Sequence, residues 1–189
     1  MTEFPIEAGL PPRVVVLRGE DVAGAAVGVE DLEFLDYADG RIENIPDLRL
    51  DIARSIRRHR PDGIITLNFG QTWGPGSWNS PDHRNLGTAV MDAVADAANE
   101  WIFPELAAEN LPPHAGVRWV GVCTMHPTHW LDVDEDSIER AVRSLSEHRR
   151  YLEALSPEPV EAQARRQIEL TTGGPETSAR RVGFELYRF

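Results

Sequence analysis

The segment Ile64-Ile65-Thr66-Leu67-Asn68-Phe69 constrains this chain more than any other stretch. It is a nearly continuous apolar run of strand length, led in by Asp62-Gly63 and closed by Gly70. Strands of that kind have both faces covered, and sheets covered on both faces are parallel sheets flanked by helices. The neighbouring segments agree. Ile45-Pro46-Asp47 opens a helix carrying Leu48, Leu50, Ile52 and Ile56, with Arg54, Arg57 and Arg58 mostly on its outer side. That helix stops at Pro61, because the residue before a proline disfavours the helical region. With a strand at Leu32, Phe34 and Leu35, the order strand, helix, strand predicts a βαβ unit and an α/β fold.

After the apolar run, residues 70–83 hold three glycines, two prolines and two tryptophans, which predicts an irregular loop. The loop begins at the carboxyl end of the buried strand, where open α/β sheets place their ligands. A long helix follows from about Asn85 to Phe103, with Leu86, Val90, Ala93, Val94 and Ala97 at helical spacing. The rest fills in around this frame. Residues 1–12 are an irregular lead-in, Arg13 to Leu17 a short strand, and Asp21 to Val29 a helix with Gly28 as a left-handed cap. Pro104 to Pro113 is a loop and Val117 to Cys123 a strand. Trp130 to Val133 is a short strand, and a helix capped near Asp134 runs to about Leu155. Another helix spans Val160 to Leu170, before a final strand from Val182 to Phe189.

Composition removes several function classes. At 189 residues the chain is one domain's worth of core, with hydrophobic and charged fractions of 41% and 26% that are ordinary for a globular fold. The net charge of -12 repels phosphate backbones and anionic bilayers, so no nucleic-acid or membrane partner is expected. All 19 basic residues are arginine. Without lysine there is neither a Walker A lysine nor a Schiff base, and Gly70, Gly74 and Gly76 fit no nucleotide-binding spacing. The single Cys123 forms no internal disulfide, lies in an apolar run as a small core residue, and fits a reducing compartment. The first twelve residues lack a signal-peptide pattern, and no apolar run reaches the ~20 residues that span a bilayer. The expected location is the cytoplasm.

The clearest chemical signal is Asp82-His83, where the loop meets the long helix. A histidine held there is well placed to ligate a metal, while Asp82 either orients it or caps the helix; spacing alone favours the cap. Other candidates carry two readings each. Trp73 and Trp78 form an aromatic floor for a sugar ring or pack the loop. Asp39 touches a substrate hydroxyl or shapes the Asp39-Gly40 turn. His129, in His126-Pro127-Thr128-His129, has a structural or substrate-rim role, because the proline prevents helical register. His148 lies on the exposed edge of a helix, and His59 and His114 sit beside prolines without assigned roles.

Taken in order, these pieces resemble a family. Phe34-Leu35-Asp36-Tyr37-Ala38-Asp39-Gly40, Arg60-Pro61-Asp62 before a strand, Pro81-Asp82-His83 before a helix, Thr128-His129-Trp130-Leu131-Asp132-Val133, and Ser144-Leu145-Ser146-Glu147-His148 follow the sequence of motifs in the PIG-L/LmbE deacetylases. The resemblance is clearest over residues 27–155 within one domain of residues 1–189. It implies a Rossmann-like three-layer sandwich with a mostly parallel sheet, and hydrolysis of an N-acyl amide on an amino sugar or sugar conjugate. It also implies zinc, which lowers the pKa of bound water and polarises the amide carbonyl. In this likeness His83 is a metal ligand, Asp82 and Ser80 are catalytic, and Asp39, Trp73 and His129 line the substrate.

The sequence departs from the family pattern twice. No Ala-His-Pro-Asp-Asp motif is present, although that motif supplies the other two ligands and the general base, and catalytic zinc ordinarily takes three protein ligands. Ser80 stands where many members have a histidine, and a hydroxyl donates one hydrogen bond but carries no charge. The faint likeness of Arg18-Gly19-Glu20 to the segment after that first motif implies a fold truncated at its N-terminal strand, with the motif encoded upstream. The alternative expectation is a non-catalytic α/β remnant that binds a ligand or a protein.

Overall fold

The computed structural model describes residues 13–16, 21–29, 31–173 and 179–189. The expected irregular lead-in and the segment around Arg18 lie outside them. Two compact units emerge, one drawn from Met1–Asp36 and Trp130–Val182, the other from Tyr37–His129 and Gly183–Phe189.

In the first unit, β1 (Arg13–Val16) and β2 (Asp31–Phe34) pair in parallel across the short helix α1 (Asp21–Ala26). Gly28 turns the chain out of α1 with a φ of 81°, a backbone angle that costs a side-chain-bearing residue steric energy. Helices α5 (Glu135–Ser146), α6 (Arg149–Leu155) and α7 (Val160–Thr172) complete the unit. Ile138 and Val142 of α5, one turn apart, meet Leu152 and Ala164 in a small core. The single helix expected from Asp134 to Leu155 is broken at Glu147 and His148. There the Ser146 hydroxyl donates to the Val142 carbonyl, and the N–H groups of Glu147 and His148 bond three residues back instead of four. Serine back-bonding of this kind competes with the helical ladder.

In the second unit, α2 (Pro46–His59) begins with proline in its first turn and buries Leu48, Ile52, Ala53 and Ile56. Arg60 ends it in the left-handed conformation at φ 50°, donating its N–H to the Ile56 carbonyl, immediately before Pro61. Its buried face packs on α3 (Pro81–Ala98), which meets it with Ala89, Ala93 and Ala97 at full burial. Small residues let the two backbones approach closely. Arg57, expected on the outer side, is instead 2% exposed, because its guanidinium reaches the end of α3 and donates to the carbonyls of Ala97, Asp96 and Asn99. Orphan carbonyls at a helix C-terminus are good acceptors for a cation. Burial holds its pKa below the ordinary arginine value.

The sheet orders β3 (Gly63–Thr66), β6 (Trp119–Cys123), β8 (Arg181–Arg188) and β7 (His129–Asp132). The α/β class holds, but the directions are mixed: β3 and β6 are parallel, whereas β8 runs antiparallel to β6. The crossover that makes the parallel pair of this sheet is therefore β3–α3–β6; in place of the expected β2–α2–β3 unit, β2 pairs in parallel with β1. β3 is an edge strand among the described residues, and Ile65 is 54% exposed while Val120 and Val122 of β6 are buried. Each buried valine contributes about 1.5–3 kcal/mol.

Two segments expected as loops contain regular structure. Residues 70–79 form a hairpin of β4 (Thr72–Gly74) and β5 (Ser77–Trp78). Pro75 and Gly76, which read locally as breakers, make its turn, with Gly76 at φ 74°, while Gly74 pairs with Ser77. A short helix α4 (Glu105–Ala108) lies within the proline-rich stretch and buries Leu106. Cys123 is only partly buried, and desolvation raises its thiol pKa, as suits a packing residue rather than a nucleophile.

Candidate functional site

The chain leaves β3 through Asn68, whose side chain organises the turn: its Oδ1 accepts from the Gly70 N–H at 2.8 Å and its Nδ2 donates to the Thr72 carbonyl at 2.9 Å. The hairpin then brings Asn79 back beneath the same turn, where it is fully buried. Its Nδ2 donates to the carbonyls of Asn68 and Gly70, at 2.6 and 2.9 Å. These bonds satisfy backbone groups that the hairpin leaves unpaired.

Ser80 is the cap of α3. Its Oγ accepts the His83 N–H at 3.2 Å, and Pro81 occupies the first helical position, where its missing donor costs nothing. Asp82 is thus not the capping residue, as spacing had favoured. Its carboxylate, 9% exposed, reaches back to accept the N–H groups of Gly40 at 2.6 Å and Ile42 at 3.2 Å. Asn85, one turn along, donates to the Ile42 carbonyl at 2.7 Å. Two side chains of α3 therefore pin the segment that follows Asp39.

His83 is half-buried at the first turn of the helix. Its Nδ1 lies 3.2 Å from Asn79 Oδ1, and the Trp73 ring packs against it edge-to-face, at 90° with centroids 5.6 Å apart. Trp78 is 67% exposed, and the Arg84 guanidinium stacks 5.2 Å from its ring centre. Nearby, burial and the Asp51 carboxylate that accepts its proton at 2.7 Å raise the Tyr37 phenol pKa, so Tyr37 stays neutral.

Of the residues expected in the site, Ser80, Asp82, His83 and Trp73 come together, and Asp39 stands exposed beside the backbone that Asp82 holds. His129 lies in β7, where its Nδ1 bonds the neighbouring Thr128 hydroxyl at 2.9 Å. His126 is exposed, and its N–H donates to the Thr124 hydroxyl. Asn79, Asn68 and Asn85 were not foreseen. An asparagine in a glycine- and proline-rich stretch reads as a turn residue, and only the closed hairpin shows which atoms it serves. No group of three His, Cys, Asp or Glu side chains able to hold a metal occurs among the described residues.

Fold and site together describe a mixed α/β chain that presents a histidine at the start of the helix joining two parallel strands. A sequence model of the PIG-L family, GlcNAc-PI de-N-acetylase, matches residues 14–94, which contain that histidine. Diacetylchitobiose deacetylase of Thermococcus kodakarensis is 28% identical over 133 residues, covering 70% of this chain and 48% of its own length. The structure of the N,N'-diacetylchitobiose deacetylase of Pyrococcus horikoshii superposes with a TM-score of 0.73 at 20% identity, over 89% of this chain and 61% of that one. A conserved protein of Thermus thermophilus follows at 0.64 and 19% identity, over 87% and 68%. The chain is thus similar to the PIG-L deacetylases over the stretch that carries Asp82-His83, and it spans about half the length of the curated relative it matches.

Proposed function

We propose that this chain acts as a PIG-L/LmbE-like deacetylase, hydrolysing the N-acetyl amide of an amino sugar or sugar conjugate to the free amine and acetate. The observation that carries the reading is His83, half-buried and clamped by Asn79 and Trp73 within the segment that matches the family. The charge of -12 and the single cysteine support a small-molecule partner and a cytoplasmic location. No described helix is long and apolar enough to cross a membrane.

Zinc is the cofactor in this reading. The described residues do not fit it by themselves: His83 belongs to no group of three donors able to hold a metal, and Asp82 has both oxygens engaged by backbone N–H groups. No catalytic step is therefore assigned to an ion. The chain's own groups have simpler tasks. The Ser80 hydroxyl, while accepting the His83 N–H, keeps its proton to donate to a substrate carbonyl. Trp73 walls the imidazole, Asp39 offers an exposed carboxylate to sugar hydroxyls, and His129 contributes at the rim. Asp82 serves by holding the backbone next to Asp39.

The lack of a three-donor cluster among the described residues favours a second reading, a non-catalytic domain that binds a sugar-like ligand or protein through the tryptophan hairpin. Acetate release from N,N'-diacetylchitobiose in the presence of zinc separates the two. The deacetylase reading expects release by the chain and none by His83→Ala; equal rates in both would overturn it. Stoichiometric zinc in the purified chain would overturn the second reading.

A further inference from the structure

The hydrogen bonds around Asn79 decide which nitrogen of His83 is free. Both Asn79 amide hydrogens are committed, since Nδ2 donates to the carbonyls of Asn68 at 2.6 Å and Gly70 at 2.9 Å. The reversed amide would press its oxygen against two carbonyl oxygens, so the orientation is settled by chemistry. Oδ1 then faces His83 Nδ1 at 3.2 Å, and an amide oxygen only accepts. The imidazole must supply the proton. A neutral imidazole carries one N–H, so with Nδ1 protonated the lone pair resides on Nε2.

We propose that Asn79 is a positioning residue that holds His83 as the Nδ1–H tautomer and presents Nε2 as its electron-pair donor. The surroundings leave little freedom to change this. Asn79 is fully buried, the Ser80 hydroxyl holds the His83 backbone N–H, and the Trp73 ring packs perpendicular to the imidazole and limits its rotation. Fixing the ring tautomer through the distal nitrogen makes the other nitrogen a better ligand or base. That catalytic consequence rests on the deacetylase reading; the tautomer itself does not.

The test reads the ring directly. In the full chain labelled with 15N-histidine, at about two pH units above the ordinary imidazole pKa of ~6.5, the His83 signals, assigned by their loss in His83→Gln, are expected to show a protonated Nδ1 and an unprotonated Nε2. Asn79→Asp keeps an acceptor beside Nδ1 but sets its second oxygen against the carbonyls of Asn68 and Gly70, so it is less stable, and it should keep Nδ1 protonated. Asn79→Ala should let the ring revert toward the Nε2–H form that free histidine prefers. Asn68→Ala loosens the same turn without touching the imidazole and should leave the tautomer unchanged. A protonated Nε2 in the native chain, or an unprotonated Nδ1 in Asn79→Asp, would overturn the proposal, as would an unchanged tautomer in Asn79→Ala. Should Asn79→Ala fail to fold, the native and Asn79→Asp spectra still decide the matter. Acetate release plays no part in the measurement, so failure of the activity reading is distinguished from failure of this one.

Discussion

Asp82 shows what a buried charge does when backbone groups, rather than a partner side chain, receive it. Its two oxygens accept from Gly40 and Ile42, and hydrogen bonds to a charged group contribute more than neutral ones. Asp82→Ala leaves both N–H groups without their acceptor and should destabilise the chain by about 2–4 kcal/mol, measured by urea unfolding. A change below about 0.5 kcal/mol would mean that the segment after Asp39 holds itself without this anchor. The pair Asp82-His83 was visible in the sequence, and so was its place before a helix. The destination of the Asp82 carboxylate was not, because Gly40 and Ile42 lie about forty residues upstream and only tertiary folding brings them within reach.

At the scale of elements, α3 is built to lie close to the segment that leaves β3. A Cβ on Gly87 would stand 2.6 Å from the Leu67 carbonyl oxygen and 2.9 Å from Phe69 Cβ. Alanine gains about 1 kcal/mol of helix propensity over glycine, yet the contact is with backbone that cannot swing aside, and overpacking costs about 1–3 kcal/mol. Gly87→Ala should therefore lower the thermal midpoint, and a raised one would show that helix and strand have room to separate. A second prediction concerns α5, whose Asp134 accepts the Ser137 N–H at 2.8 Å; hydrogen bonding from the Ser137 side chain, and then from this N–H, holds the Asp134 carboxyl below its ordinary pKa. The stabilisation is present above the unfolded value and is lost as pH falls through the lowered folded one. Asp134→Asn keeps a cap but no charge to titrate, so its urea midpoint should fall less on acidification than the native chain's. A parallel fall in both would remove the cap from the account.

Elements also show where pattern reading stops. Helix α2 was legible from Pro46 and its apolar spacing, and its end from Pro61, because those are local steric facts. The hairpin at residues 72–78 was not, since glycine and proline break regular structure in one context and make its turns in another. The exposed edge of β3 was equally hidden. A run of apolar residues records what a strand can bury, not how many neighbours it receives.

Across the whole molecule, the charge of -12 acts as a single quantity. Near the isoelectric point of about 4.9 the mutual repulsion between copies vanishes, and exposed apolar groups such as Trp101 and Leu170, at 81% and 75% exposure, are free to associate. Turbidity should thus peak as pH is lowered from neutral to that point, and less so in low concentrations of denaturant. A solution that stays clear throughout would show that charge is not what keeps copies apart.

Taken alone, the sequence determined the α/β class, most helix positions, the exclusion of lysine chemistry and the likeness to the deacetylase family. These depend on composition, on periodicity and on residues adjacent in the chain. Tertiary structure alone decided that the sheet is mixed, that Ser80 rather than Asp82 caps α3, that Arg57 is buried, and that Asn79 meets the imidazole of His83. Strand direction and the partner of a buried polar group depend on which distant segments arrive beside them. Long-range closure sets that, and a local pattern of residues does not encode it.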